Sequence, residues 1–156
     1  MIHEQLPNWT ITIVGDGEDR QPIESFIETH PILKNKIILK GQLTKADIAL
    51  EMQHSNFLVF PSKHESFGLV IAEALSCGLP VIVGDKTAPK EFVDAENGLL
   101  VPAYDLNAIS TSMKTMTTSF SQYDSQSIRN KIVENFGFES FGKKMEGIYI
   151  STINKC

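Results

Sequence analysis

Two glutamates, Glu65 and Glu73, bracket the run Glu65-Ser66-Phe67-Gly68-Leu69-Val70-Ile71-Ala72-Glu73-Ala74-Leu75, and the neighbouring residues place the first in a loop and the second within a helix. An apolar run closed by proline, Phe57-Leu58-Val59-Phe60-Pro61, precedes them. After them Gly78-Leu79-Pro80 stops the helix, and Val81-Ile82-Val83 opens another strand. The pattern predicts a strand, loop, helix and strand in succession, with acids at the mouth of the unit. The first turn of such a helix offers unpaired N–H groups and the positive end of the helix dipole, which suit a phosphate. A carboxylate further along the same helix can accept hydrogen bonds from a sugar diol. Phosphate and diol together describe a nucleotide.

A plainer reading of the same residues is structural. Glu73 fits a solvated position on a helix that buries Leu69, Val70, Ala72 and Leu75, and Glu65 fits a loop acid near a helix N-terminus, where negative charge is mildly favoured. Phe67 suits a core aromatic that anchors the loop. Lys63 suits either a solvated loop lysine or a mobile cation that reaches a phosphate. Gly68 suits a turn where the lack of a Cβ permits close approach and unusual φ/ψ. Spacing alone does not choose between the two readings.

The wider string from Phe60 to Ile82, followed by Asn97-Gly98-Leu99-Leu100-Val101-Pro102, closely resembles the C-terminal, donor-binding half of retaining GT-B glycosyltransferases of family four, the glycogen-synthase-like group. The resemblance runs from about Trp9 to Tyr149. Trp9 to Gly17 is similar to the family's Trp-x-Leu-x-Ile-Val-Gly-x-Gly segment, Gly41-Gln42 to its base-facing loop, and Glu65 to Glu73 to its two-glutamate motif. The resemblance implies that Glu73 holds the ribose hydroxyls and that Glu65 lies beside the donor sugar as the catalytic residue, in the loose sense of orienting the sugar or stabilising charge. It also implies that the amides of Phe67, Gly68, Leu69 and Val70 meet sugar hydroxyls and diphosphate. The full donor-binding set it implies is Gly15, Gly17, Gln42, Lys63, Ser66, Phe67, Gly68, Leu69, Val70 and Glu73. No metal and no cofactor are implied, the substrate being a nucleotide diphosphate sugar.

Composition narrows the alternatives. With 156 residues and 42% hydrophobic content the chain can bury a core of its own, and the expectation is one domain over residues 1–156. A net charge of -5 with no basic cluster argues against a nucleic-acid partner. No apolar stretch reaches membrane-spanning length and Met1-Ile2-His3-Glu4 does not read as a signal peptide, so a cytoplasmic setting is expected. Two cysteines, Cys77 and Cys156, announce neither a disulfide framework nor a zinc site and read as free thiols, Cys77 as a small helix-packing residue.

The elements needed to hold the acids in place alternate regularly. Short β-branched runs predict strands at Thr10–Val14, Ile37–Leu39, Phe57–Phe60, Val81–Val83 and Leu99–Val101. Helices are expected at about Gln21–Glu28, Lys45–Gln53 and Gly68–Ser76, then at Leu106–Met116, Ser127–Glu134 and Phe138–Ile153. Thr44 is the expected N-cap of the second, with Asp47 as a weak capping-box partner. The Thr/Ser-rich run Thr115–Ser121 reads as an exposed turn. The fold class that follows is α/β, a three-layer Rossmann-like parallel sheet with helices on both faces and ligand at the carboxyl ends of the strands.

Competing motifs fail on their spacing. Gly15-Asp16-Gly17 begins a dinucleotide fingerprint, but Arg20 stands in place of the third glycine and strand two ends in Leu39-Lys40 without a ribose-binding acid. Gly84-Asp85-Lys86-Thr87 is not a phosphate-binding P-loop. Asp16-Gly17-Glu18 as a metal-binding pair belongs to a different transferase fold, GT-A. His3, His30 and His54 have no partner at metal spacing, and His64 gains no chemistry from its position.

Departures from the family pattern matter for turnover. Thr87-Ala88-Pro89-Lys90-Glu91 replaces a frequent Gly-Gly pair before Pro-Glu. The family's opening strand of this half, with an arginine and a lysine that neutralise the diphosphate, is expected upstream of Met1 together with the N-terminal acceptor-binding half. That missing half is the expected partner, and it leaves room for peripheral association with the inner face of the membrane. Without it, turnover by this chain alone is not expected. The apolar positions of the last helix, Phe138, Phe141, Met145, Ile148 and Tyr149, would pack on that half or in this domain's own core. The competing class is a non-catalytic nucleotide-binding or protein-interaction module of the same fold.

Overall fold

A computed structural model describes residues 9–86 and 88–153, so His3, Thr87 and Cys156 lie outside the described residues. The chain divides into two compact units, Met1–Glu51 and Met52–Cys156.

In the first unit β1 (Ile11–Val14) and β2 (Ile37–Gly41) pair in parallel, with Ile11 beside Ile37 and a register shift between Ile13 and Val14. The connection runs through α1 (Arg20–Thr29) and a short 3-10 turn at Pro31–Leu33. Arg20, the residue that spoils the dinucleotide fingerprint, has a local task. Its Nε donates to Glu24 Oε1 at 2.9 Å, and an η-nitrogen lies 3.7 Å from Asp16 Oδ2. The unit ends within α2 (Lys45–His54), which opens on the expected cap: the Asp47 N–H donates to Thr44 Oγ1 at 3.2 Å. The Thr44 hydroxyl in turn donates to Asp47 Oδ2 at 2.6 Å.

In the second unit β3 (Leu58–Phe60), β4 (Val81–Gly84) and β5 (Gly98–Val101) form a parallel sheet in the order β3-β4-β5. Among the described residues the strands thus make two parallel sheets, of two and three strands. The helices here are α3 (Leu69–Ser76), α4 (Leu106–Ser119), α5 (Ser125–Phe136) and α6 (Phe138–Ile153). Every residue of β4 is buried, as a central parallel strand covered on both faces requires. Ile82 packs with Val101 and with Met116 of α4. Val81 and Val83, one residue out of phase, point to the opposite face, where Ile71, Ala74 and Leu75 of α3 and Ile128 and Ile132 of α5 are buried. The layers are therefore α4, sheet, and α3 with α5.

Three sequence expectations are corrected. Most of Thr115–Ser121 is helix: α4 continues to Ser119 before a 3-10 turn at Phe120–Gln122, and the hydroxyls of Thr115, Thr117, Thr118 and Ser119 are satisfied by carbonyls three or four residues earlier. The buried face of α3 is Ile71, Ala74 and Leu75, leaving Leu69 67% exposed. α6 has no buried residue, with Phe138 95% exposed and only Met145 half-buried among its apolar positions, so it does not contribute a core face to this unit.

Asn97 is the one polar residue among the described residues that is buried as a whole. It accepts from the Asp94 N–H at 2.9 Å and donates to Phe92 O at 2.9 Å, which fixes the loop before β5. Lys131 of α5 reaches the same loop at Asp94 (2.6 Å) and Glu96 (2.7 Å), and its hydrogen bond holds the Asp94 carboxyl below the usual carboxylate range. No helix among the described residues is long and apolar enough to cross a membrane.

The end of β4 is tightly packed. A Cβ on Gly84 would lie 2.4 Å from Ser62 O, a backbone atom that cannot step aside. Gly84→Ala is therefore expected to lower stability by about 1–3 kcal/mol, as overpacking does, read as a fall in the urea midpoint with an unchanged m-value.

Candidate functional site

The residues singled out by the sequence gather at the carboxyl ends of the strands, separately in each unit. In the first unit Gly15 follows β1 and Gly41 closes β2, and the Gly15 N–H donates to Gly41 O at 2.8 Å, tying the two loops together. Gly15 has φ +125 and Gly41 φ +65, backbone that side chains disfavour. Gly17 and Gln42 follow on these two loops, both exposed. Asp16 is engaged by protein donors, the Gly17 N–H at 3.0 Å and Arg20.

In the second unit the turn between β3 and α3 carries Lys63, Glu65, Ser66, Phe67 and Gly68. Glu65 is half-buried, and its Oε1 accepts a hydrogen bond from the Gly68 N–H at 3.1 Å. Gly68 is the N-cap of α3 at φ 83, ψ 49 and offers no side chain to the helix terminus. A Cβ there would meet Pro89 Cγ at 2.4 Å, so the turn requires glycine both for its left-handed backbone and for the closeness of the loop after β4. Gly68 O accepts from the Ile71 and Ala72 N–H groups. The N–H groups of Leu69 and Val70, the first two of α3, are left without an intrahelical acceptor at the positive end of the helix.

Glu73 lies one turn beyond Leu69 on the exposed stripe of α3. Phe67 is 45% exposed and packs against Phe92, tilted, and Phe136, edgewise, with ring centroids 6.0 and 6.3 Å away, so it anchors the turn from its side without entering the core. Lys63 does not extend freely: its Nζ stands 4.5 Å from the centroid of the Tyr104 ring, a cation–π contact between the segments that follow β3 and β5.

Sequence reasoning passed over Tyr104, Pro89 and Asp85. Asp85 counted only against a P-loop, although its place directly after a buried β-run marks a carboxyl end, where ligands of open α/β sheets bind. Thr87, in the loop that departs from the family pattern, lies outside the described residues.

A separate pocket of about 270 Å³ opens at the opposite, amino ends of β3 and β4, lined by Asn56, Cys77, Leu79, Pro80 and Tyr123 among others. Cys77 there is a free, half-buried thiol just past α3, and burial pushes it above the usual thiol range. No group of three or more His, Cys, Asp or Glu with metal-binding geometry occurs among the described residues.

Comparison with known proteins agrees with this arrangement. A family model described as Glycosyl transferases group 1 matches residues 1–132. Over 150 residues the chain is 30% identical to the UDP-Gal:alpha-D-GlcNAc-diphosphoundecaprenol alpha-1,3-galactosyltransferase of Escherichia coli, covering 95% of this chain and 38% of that protein. A sucrose-phosphate synthase from Thermosynechococcus elongatus superposes with a TM-score of 0.80 at 24% identity, over 99% of this chain and 41% of its own. Anabaena HepE, solved in complex with UDP-glucose, matches with a TM-score of 0.56 at 25% identity, over 86% of this chain and 42% of its own. The fold is that of GT-B glycosyltransferases. The chain spans about two fifths of the length of these proteins.

The Glu65–Gly68 contact can be tested by itself. Glu65→Gln keeps an oxygen that accepts from the Gly68 N–H and should unfold within ~0.5 kcal/mol of wild type, whereas Glu65→Ala should cost ~1–2 kcal/mol in urea denaturation.

Proposed function

We propose, from the premise that the chain belongs to the glycosyl transferases group 1 family, that it is the nucleotide-sugar-binding part of an enzyme transferring a sugar from a nucleotide diphosphate sugar to an acceptor hydroxyl, with retention at the anomeric carbon. The observation that carries the reading is the Glu65–Val70 turn, where a left-handed glycine opens a helix whose first amides are uncapped, with an exposed glutamate one turn further on. The names of the matched proteins, a galactosyltransferase and a protein solved with UDP-glucose, support the same substrate class.

In this reading the amides of Leu69 and Val70 take the diphosphate, because N–H groups and helix dipole stabilise negative charge as it develops on the leaving group. Glu73 accepts from both ribose hydroxyls. Glu65, held by the Gly68 N–H through one oxygen, turns the other toward the sugar and stabilises positive charge at the anomeric carbon. Ser66 and Phe67 line the sugar through their backbone. Lys63, over Tyr104, adds positive charge at the rim. The reaction uses no metal, and the acceptor is bound by a further domain, so this chain alone is a binding unit and not a turnover unit.

Glu73→Ala tests the reading. Calorimetric titration with UDP, GDP and ADP should show one of them saturating wild type and losing at least about ten-fold in affinity in the variant, the size of a hydrogen bond to a charged group. The unfolding midpoint should stay within ~0.5 kcal/mol, since the side chain is exposed. A large loss of stability with unchanged binding would make Glu73 a packing residue.

A further inference from the structure

One polar atom at the mouth of the second unit has no partner. Asp85 follows directly on β4, and its backbone N–H prolongs the ladder by donating to Val101 O at 2.9 Å. Its side-chain Oδ1 is buried and accepts from no donor among the described residues. A buried oxygen stripped of water and left without a donor is costly, and such atoms in folded proteins call for an explanation.

Three placements say where this oxygen belongs. β4 is the central strand, and the segments leaving its neighbours close over its end: Gly84 has no room for a Cβ between Ser62 and Ala103, and Lys63 meets Tyr104 across the gap. Alternation along β4 puts Asp85 on the face of Val81 and Val83, the α3 face, and not on that of Ile82, which packs against α4. The loop that Asp85 opens then runs onto the glutamate turn. The Ala88 N–H donates to Glu65 O at 3.4 Å, and Pro89 abuts Gly68. The unpartnered acceptor thus stands on the same face and at the same end of the sheet as Glu65 and the open amides of α3.

We propose that Asp85 is a sugar-binding residue of this mouth, its Oδ1 accepting a hydrogen bond from a hydroxyl of the sugar attached to the nucleoside diphosphate. This rests on the nucleotide-sugar reading and deepens it. A hydroxyl is the fitting donor because it is neutral, directional and small enough to reach an oxygen closed off from bulk water. Lys63, on the segment that leaves β3, is already held over an aromatic ring. An acceptor at this point makes the sugar, and not the nucleotide, the moiety that Asp85 selects.

The test titrates this chain with paired probes, UDP and UDP-glucose, GDP and GDP-mannose, ADP and ADP-glucose, for wild type, Asp85→Ala and Asp85→Asn. For the pair that binds, the bare diphosphate should keep its affinity within about two-fold in both variants. The sugar conjugate should weaken by about ten-fold in Asp85→Ala and less in Asp85→Asn, which retains one accepting atom. If Asp85→Ala fails to fold, Asp85→Asn must still weaken the conjugate alone. Equal losses for diphosphate and conjugate would make Asp85 a loop-shaping residue and overturn the proposal, as would no loss for either. Wild type that binds no diphosphate would overturn the nucleotide reading itself, a result separate from bound diphosphate with an indifferent Asp85.

Discussion

The hydrogen bond from the Gly68 N–H to the Glu65 carboxyl group is the contact on which the mouth of the second unit depends. It closes a tight turn between β3 and α3 and holds Gly68 in left-handed backbone, the conformation that swings the first turn of α3 outward. A residue with a Cβ would collide with Pro89, so the loop after β4 can lie against the turn only because Gly68 is bare. The same contact gives Glu65 two uses. One oxygen closes the turn, and under the proposed function the other faces the sugar.

The helix carries out the rest through its division of faces. Ile71, Ala74 and Leu75 are fully buried and fix the rotation of α3 about its axis. That rotation leaves Leu69 and Glu73 on the open side, with the unpaired amides at the end facing the carboxyl edge of the sheet. The first unit repeats the device in another form, where two glycines with positive φ, Gly15 and Gly41, bring the loops after β1 and β2 into hydrogen-bond contact. In both units parallel strands deliver backbone amides and small residues to one end, the arrangement that open α/β sheets use for ligands.

Much of this was legible in the sequence. The alternation of β-branched runs with helical stretches located the strands and α-helices of the described residues, though not the short 3-10 turns, because buried parallel strands are largely apolar and the breakers between them are glycine and proline. The Glu65-to-Glu73 spacing located the turn. What the sequence did not show depended on side-chain bonding and on packing at a distance. The hydroxyls of Thr115 to Ser119 compete with the backbone in a propensity argument, yet in the structure they bond within α4. The buried face of α3 was read only in part, rightly at Leu75 and wrongly at Leu69, since a nearly all-apolar helix carries little phase information. Lys63 over Tyr104, Pro89 against Gly68 and the orphan oxygen of Asp85 all join residues more than twenty positions apart or record a missing partner, and no local pattern announces them.

The central claim is that the uncapped start of α3 is a diphosphate site, and the most direct measurement reads those amides themselves. In a ¹⁵N-labelled sample of this chain titrated with the nucleoside diphosphate that binds, the amide resonances of Gly68, Leu69 and Val70 should show the largest shifts and saturate together. Saturable shifts confined to residues lining the pocket at Cys77 and Tyr123, with the three amides unmoved, would contradict the account.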